Sequence, residues 1–303
     1  MMRKTFRYII PLVVVLISCS NNQAKDVATN SIVNGEIEMP RPPADLQTPQ
    51  QKAEFIIMNF WNPVDFKDTT LTLNESFVEQ NFVNFISVFP YAEEKSRKKG
   101  VNNLLDKTKV DPRAFDYFMQ VAELYLYSPD SPMRNDDYFL PFMEYVLDSA
   151  DSSESQKELA SYTIDCINKN HIGTLASDFD FTDSNGKVLS LHSVYPDREV
   201  MLIFYDPDCD NCHKVINDII KDSTIGQKVS EGSLGIVAVY SGLNKVSWHK
   251  GLSAFPKEWI VGHEPGIIDD KELYELREMP TIYILNADKT VAQKEAQFPA
   301  LNL

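Results

Sequence analysis

The residues best placed to do chemistry lie in "FYDPDCDNCHK", Phe204 to Lys214, where Cys209 and Cys212 stand two residues apart among Asp206, Asp208 and Asp210. A thiol pair at this spacing can exchange electrons with disulfides, supply half of a zinc site, or form a structural staple. Zinc needs four ligands, usually from a second CxxC or a pair of histidines. The five histidines, at 171, 192, 213, 249 and 263, offer no such spacing, so no metal site is predicted. A staple across so short a loop gains little chain entropy. Redox work remains. A cysteine at the start of a helix meets the positive end of the backbone dipole, which favours the attacking thiolate. That places Cys209 as the nucleophile. Cys212, one turn on, would release a mixed disulfide by attacking the Cys209 sulfur. The three aspartates are negative charges near that thiolate and would raise its pKa. Asp206, Asp208 and Asp210 are therefore read as tuning the pair toward a reducing couple.

The surrounding elements must hold the pair at a strand–helix junction. "EVMLIFY" (199–205) is almost wholly apolar, as a strand buried on both faces should be, and "LGIVAVY" (234–240) reads the same way. A helix runs from Cys212 through Ile219 and Ile220. Before the first strand, Phe179, Phe181, the Asn185-Gly186 turn, Val188, Leu189 and Leu191 spell a β-hairpin. After the second come a helical stretch around Val246 to Phe255, a short "WIVGH" strand and a helix over "DDKELYELREM" capped by Asp269 or Asp270. Two strands, "PTIYILN" and "TVAQKE", close the series. This order predicts a layered α/β sheet. The region before it, 47–172, reads as all α, about five or six helices with no convincing strand. Thr48, Pro49 and Gln51 form a capping box, and Asp111 with Pro112 starts another helix. Phe77, Phe82, Phe85, Ile86 and Phe89 recur at helical spacing, which more often marks a core than a ligand groove.

The N-terminus bears on the redox setting. Arg3, Lys4 and Arg7 precede the apolar run "IIPLVVVLI", too short to span a bilayer as a helix and suited to a signal-peptide core. The following "LISC" resembles the lipobox of bacterial lipoproteins. That resemblance implies cleavage before Cys19, lipidation of Cys19 and, with the non-acidic Ser20 next, an outer-membrane destination facing the periplasm. Residues 1–18 are then a signal peptide and 19–46 a lipidated tether, polar and Pro-spotted. With Cys19 taken by lipid and Cys166 in a helical pattern as a buried small apolar residue, Cys209 and Cys212 remain as the exported thiol pair, in a compartment where disulfides persist. The net charge is −15, and loss of the three basic residues of the signal takes it to −18. Such a balance disfavours nucleic acid and anionic lipid surfaces as partners.

The strand–CxxC–helix unit, followed by Pro280 directly ahead of "TIYILN", resembles the thioredoxin superfamily, most closely the TlpA-like membrane-tethered thiol–disulfide reductases. The resemblance covers Gly173 to about Gln297. It implies an α/β thioredoxin-like C-terminal domain over 173–303, a central mixed sheet flanked by helices, preceded by the all-α domain. It further implies a cis peptide between Met279 and Pro280 beside the cysteines, with the Met279 backbone pairing to an extended substrate strand. The cofactor would be none beyond the redox-active Cys209–Cys212 disulfide. The partners would be disulfide-containing exported proteins and an unidentified membrane electron donor. The stretch "YSPDSPMRNDDYF" (Tyr127 to Phe139) is similar to an uncharacterised domain often joined to such lipoproteins. Departures are plain: Ile203 and Val215 occupy the two positions where such proteins place a proton-relaying acid, and "AQFPALNL" is too short for the usual closing helix. That tail leaves either a sheet face covered by the helical domain or a pared-down fold. The departures also keep a second reading open, a lipoprotein that binds a partner through its helical domain, with the thioredoxin-like part a weakly active or inactive scaffold.

Overall fold

The computed structural model describes residues 30–301 and 303. The basic start, the apolar run and Cys19 lie outside the described residues. The helical part comprises α1 (Pro49–Asn59), α2 (Thr69–Thr72), α3 (Glu75–Ile86), α4 (Glu94–Thr108), α5 (Pro112–Leu126), α6 (Asp136–Asp148) and α7 (Glu154–Asn168). Local chemistry sets their starts. The Thr48 hydroxyl accepts the Gln51 N–H while the Gln51 side chain accepts the Thr48 N–H. Asp111 accepts the Arg113 N–H ahead of Pro112. The aromatic stripe turns inward. Trp61, Phe82, Phe85, Phe118 and Phe142 are buried, with Trp61 edge-on to Phe118 at 5.3 Å, an arrangement that adds to what area burial alone supplies.

One segment departs from the expected tether. Strands β1 (Ile32–Val33) and β2 (Glu36–Ile37) form a hairpin whose turn residues Asn34 and Gly35 take positive φ. The hairpin belongs to the helical domain. Ile37 is buried, and the fully buried Asn81 amide accepts the Ile37 N–H at 2.7 Å and donates to the Gly35 carbonyl at 3.1 Å. An internal side chain thus satisfies the edge of a strand pair too short to stand alone.

The C-terminal part is a seven-stranded mixed sheet in the order β4-β3-β7-β6-β5-β8-β9. Its strands are β3 (Asp180–Asp183), β4 (Val188–Ser190), β5 (Glu199–Phe204), β6 (Leu234–Tyr240), β7 (Ile260–His263), β8 (Thr281–Leu285) and β9 (Val291–Gln293). β5, β6 and β7 run parallel, and β8 lies antiparallel to β5 with Phe204 opposite Thr281. That register brings the end of β5 level with the start of β8. Helices α8 (Asp210–Lys221), α9 (Ser223–Glu231), α10 (Lys245–Gly251) and α11 (Ile267–Asp270) complete it. Side chains alternate along β5. Met201 and Ile203 join Ile216 and Ile219 of α8 on one face, and Val200, Leu202 and Phe204 meet Phe179, Phe181 and Tyr283 on the other.

Two expectations need correction here. The helix over "DDKELYELREM" is reduced to α11. The Glu264 carboxylate accepts the N–H groups of Ile267 and Ile268 and starts the helix early; the chain then leaves it at Glu272, at φ 49°. Beyond, Tyr274 is drawn into the sheet among Phe179, Phe204 and Tyr283, its hydroxyl donating to the Ser177 carbonyl at 2.6 Å. Burying that ring outweighs helix propensity. The short tail also resolves differently from the helical-domain cover considered above. Ala296, Phe298, Leu301 and Leu303 pack onto the α8-side core, so the chain's own last residues cover that face.

Candidate active site

Strand β5 delivers the chain to a loop, Tyr205 to Asp208, that turns into α8. The Asp206 carboxylate accepts the Asp208 N–H at 2.7 Å, and the Asp206 carbonyl accepts the Cys209 N–H at 3.1 Å. This turn sets Cys209 as the N-cap of α8, in an extended backbone conformation, with its sulfur accepting the Cys212 N–H at 3.2 Å. The sulfur therefore occupies the position of an N-capping oxygen, where free N–H groups and the helix dipole favour negative charge. Cys209 is partly exposed, Cys212 is fully buried, and both are free thiols. One thiol meets solvent and the other waits behind it.

The start of β8 brings a second segment to the same spot. The Met279–Pro280 peptide bond is cis, and the Met279 carbonyl lies 3.9 Å from the Cys209 sulfur. The Asn211 side-chain amide donates to that carbonyl at 3.0 Å. Cys209, Cys212, Met279 and Pro280 thus converge as the sequence predicted. Asn211 was not singled out. It lies between the two cysteines in the sequence, but its partner is 68 residues away, and only the folded register reveals the bond.

The aspartates divide. Asp206 is half-buried and its charge helps to raise the Cys212 thiol. Burial is the main force pushing the Cys212 thiol up to about 12; a backbone hydrogen bond at Asp206 opposes it, and neighbouring Cys209 and the Asp206 charge add to the rise. Asp208 and Asp210 are exposed, where solvent and salt screen them. Asp210 sits in the first turn of α8 and shares the helix's positive end with Cys209.

In the reduced chain the Cys212 proton is held in the fold and released above about pH 9 on unfolding. Cys212 therefore supports stability below its ordinary value of 9.0, and that support falls away as pH rises toward about 12. In a Cys209→Ser chain burial still disfavours the Cys212 thiolate. Its alkylation by iodoacetamide at pH 8 is therefore expected to run at least about tenfold slower than that of the same cysteine in the urea-unfolded chain. Equal rates would show that the thiol is not held protonated.

Residues 18–170 match the family described as a domain of unknown function, DUF5106. A crystal structure of a thioredoxin-like protein from Bacteroides caccae is 32% identical, covering 86% of this chain and 94% of that one at TM-score 0.77. The C-terminal domain of an uncharacterised protein from Bacteroides fragilis is 30% identical over 43% of this chain and 93% of that one, at TM-score 0.42. The thioredoxin domain of a thiol-disulfide oxidoreductase from Bacteroides vulgatus is 18% identical over 42% of this chain and 89% of that one, at TM-score 0.37. No curated protein matches the chain.

Proposed function

The chain belongs to the thioredoxin-like proteins that carry a DUF5106 domain ahead of the redox fold, and on that premise we propose that it is a thiol–disulfide oxidoreductase that reduces disulfides of exported proteins. The observation that carries this reading is the asymmetry of the pair. Cys209 is partly exposed at a helix N-terminus beside the Met279 carbonyl, and Cys212 is buried one turn behind it.

The Cys209 thiolate attacks one sulfur of the substrate disulfide. A Cys209–substrate bond forms, the substrate S–S bond breaks, and the leaving thiolate takes a proton. Cys212 then attacks the Cys209 sulfur, which forms the Cys209–Cys212 disulfide and expels the second substrate sulfur as a thiolate that takes up the proton Cys212 gives up. The substrate gains two electrons and two protons. An external dithiol donor restores the pair. Substrate docking is assigned to the backbone of Met279 and Pro280. The direction follows from Cys212: a thiol held protonated by burial gains nothing from ionising, which leaves the disulfide comparatively stable and the couple reducing.

The "LISC" motif supports placing the mature chain in the cell envelope, anchored by lipid on Cys19 and facing the periplasm. Among the described residues no helix is long and apolar enough to cross a membrane. The test of the activity is insulin reduction by the purified chain with dithiothreitol as donor, joined to a redox titration against glutathione. Catalysed insulin precipitation and a potential below that of the glutathione couple are expected. A potential as high as that of dedicated disulfide-forming catalysts, or no rate above dithiothreitol alone, would sink the reading.

A further inference from the structure

We propose that the helical domain is a working part of this redox site: it holds the Met279–Pro280 loop in place through Arg277 and walls the cleft that takes the polypeptide flanking a substrate disulfide. The proposal rests on the oxidoreductase reading above and gives the helical domain its task.

The loop is flanked by residues gripped from the other domain. Arg277, two residues ahead of Met279, donates to the Asp136 carboxylate at 2.8 Å, to Glu295 at 2.8 and 3.1 Å, and to the Tyr127 carbonyl at 3.4 Å. Its guanidinium also lies over the Tyr127 ring at 4.3 Å. Glu278, the next residue, meets Arg134 at 3.4 Å and accepts from Gln297. Arg134 in turn is paired with Glu295. In the same seam Lys294, 3.8 Å from Asp136, donates to the Cys166 and Ile167 carbonyls near the end of α7, each at 2.9 Å. Tyr127, Arg134, Asp136, Cys166 and Ile167 all belong to the helical domain. The chain leading into Met279 and Pro280, and the segment 294–297 beside it, are therefore fastened to the helical domain by a connected polar network.

The same seam encloses a cavity of about 680 Å³, with Pro132, Arg134 and His171 on the helical side and Glu278, Lys294 and Gln297 on the other. That volume lies within the range of about 300–1,000 Å³ typical of binding sites. Glu278 both lines the cavity and precedes the carbonyl that lies 3.9 Å from the Cys209 sulfur. A polypeptide whose disulfide reaches Cys209 must pass Met279. Glu278 is the chain neighbour of Met279, so the wall of the cavity begins about 3.8 Å, one Cα step, from the residue beside the Cys209 sulfur. The occupant is thus the extended flank of a disulfide-bearing polypeptide.

The test compares a substrate with flanks and one without. Wild type, Arg277→Met, Arg277→Lys and Pro132→Trp chains are assayed for insulin reduction and for the reaction of Cys209 with 5,5′-dithiobis(2-nitrobenzoate). Pro132 is exposed and lines the cavity, so its replacement fills the space without touching the ion network. Arg277→Met and Pro132→Trp are each expected to raise KM for insulin about tenfold, the equivalent of about 1.4 kcal/mol. In Pro132→Trp the reaction with the small disulfide should stay within about twofold of wild type. On insulin Arg277→Lys, which keeps the charge but loses the fork, should fall between wild type and Arg277→Met. Insulin kinetics unchanged in Arg277→Met and Pro132→Trp would overturn the proposal, as would both substrates falling by one common factor in Pro132→Trp. If the wild-type chain reduces neither substrate, the oxidoreductase reading itself fails and the proposal falls with it.

Discussion

Serine at Cys209 is expected to abolish disulfide reduction, and serine at Cys212 to leave the first step intact and stall the second. The reason is positional. Cys209 is the partly exposed sulfur at the α8 N-terminus, and Cys212 is buried beneath it with its N–H directed at the Cys209 sulfur. Without Cys209 the remaining thiol has no access to a protein disulfide, and its burial, the largest cause of its raised pKa, still disfavours ionisation. Insulin reduction should drop by about 10³-fold or more, the scale on which loss of a covalent nucleophile is felt. Without Cys212 the mixed disulfide at Cys209 has no internal resolving thiol and should accumulate. Non-reducing electrophoresis of each variant after exposure to envelope extract reads this directly: a ladder of adducts for Cys212→Ser and none for Cys209→Ser. Equal trapping by both variants, or trapping by Cys209→Ser alone, would reverse the assignment of roles.

The second large effect concerns stability. Glu295 has a side chain only 2% exposed, and its carboxylate faces both Arg277, at 9%, and Arg134, at 12%. Glu295→Ala leaves two guanidinium groups in the seam short of a partner. Breaking a buried pair from one side costs about 3–5 kcal/mol when the surviving charge is left wholly uncompensated. Here Asp136 still pairs with Arg277 and Glu278 with Arg134, so a loss of about 1–3 kcal/mol is expected. A surface pair offers the contrast: Lys99 and Glu54 stand 3.8 Å apart with roughly half of each side chain in water, and Glu54→Ala should cost under about 1 kcal/mol. Urea titrations followed by tryptophan fluorescence separate these cases. A loss below about 1 kcal/mol for Glu295→Ala would mean that water enters the seam and screens it.

Much of this protein was legible from neighbours in sequence. Helix starts at Thr48 and Asp111 follow from hydroxyl, carboxylate and proline chemistry acting over two or three residues. The runs 199–205 and 234–240 declare themselves as buried strands because all of their side chains are apolar or nearly so. The hairpin turn at Asn185-Gly186 is likewise local, with the Asp183 carboxylate taking the N–H groups of Asn185 and Lys187. From these alone the thiol pair could be put at a strand–helix junction.

Other features depend on residues brought together over long stretches of chain. The hairpin at 32–37 is stable because Asn81, more than forty residues on, satisfies its backbone. The helix expected after Asp269 gives way because Glu264 caps it early and Tyr274 finds an aromatic pocket. Asp206 bears on Cys212 because the loop before α8 brings its charge and backbone close to the buried thiol. Asn211 finds Met279, and Arg277 finds Asp136 across 141 residues. Sequence by itself determined most of the elements, the pair and the family resemblance, since propensity, capping and hydrophobic period act within a turn or two. Only the tertiary structure decided that Asp206 meets Cys212 and that Arg277, two residues from Met279, pairs with Asp136 of the helical domain, because burial and ion pairing are properties of the packed whole.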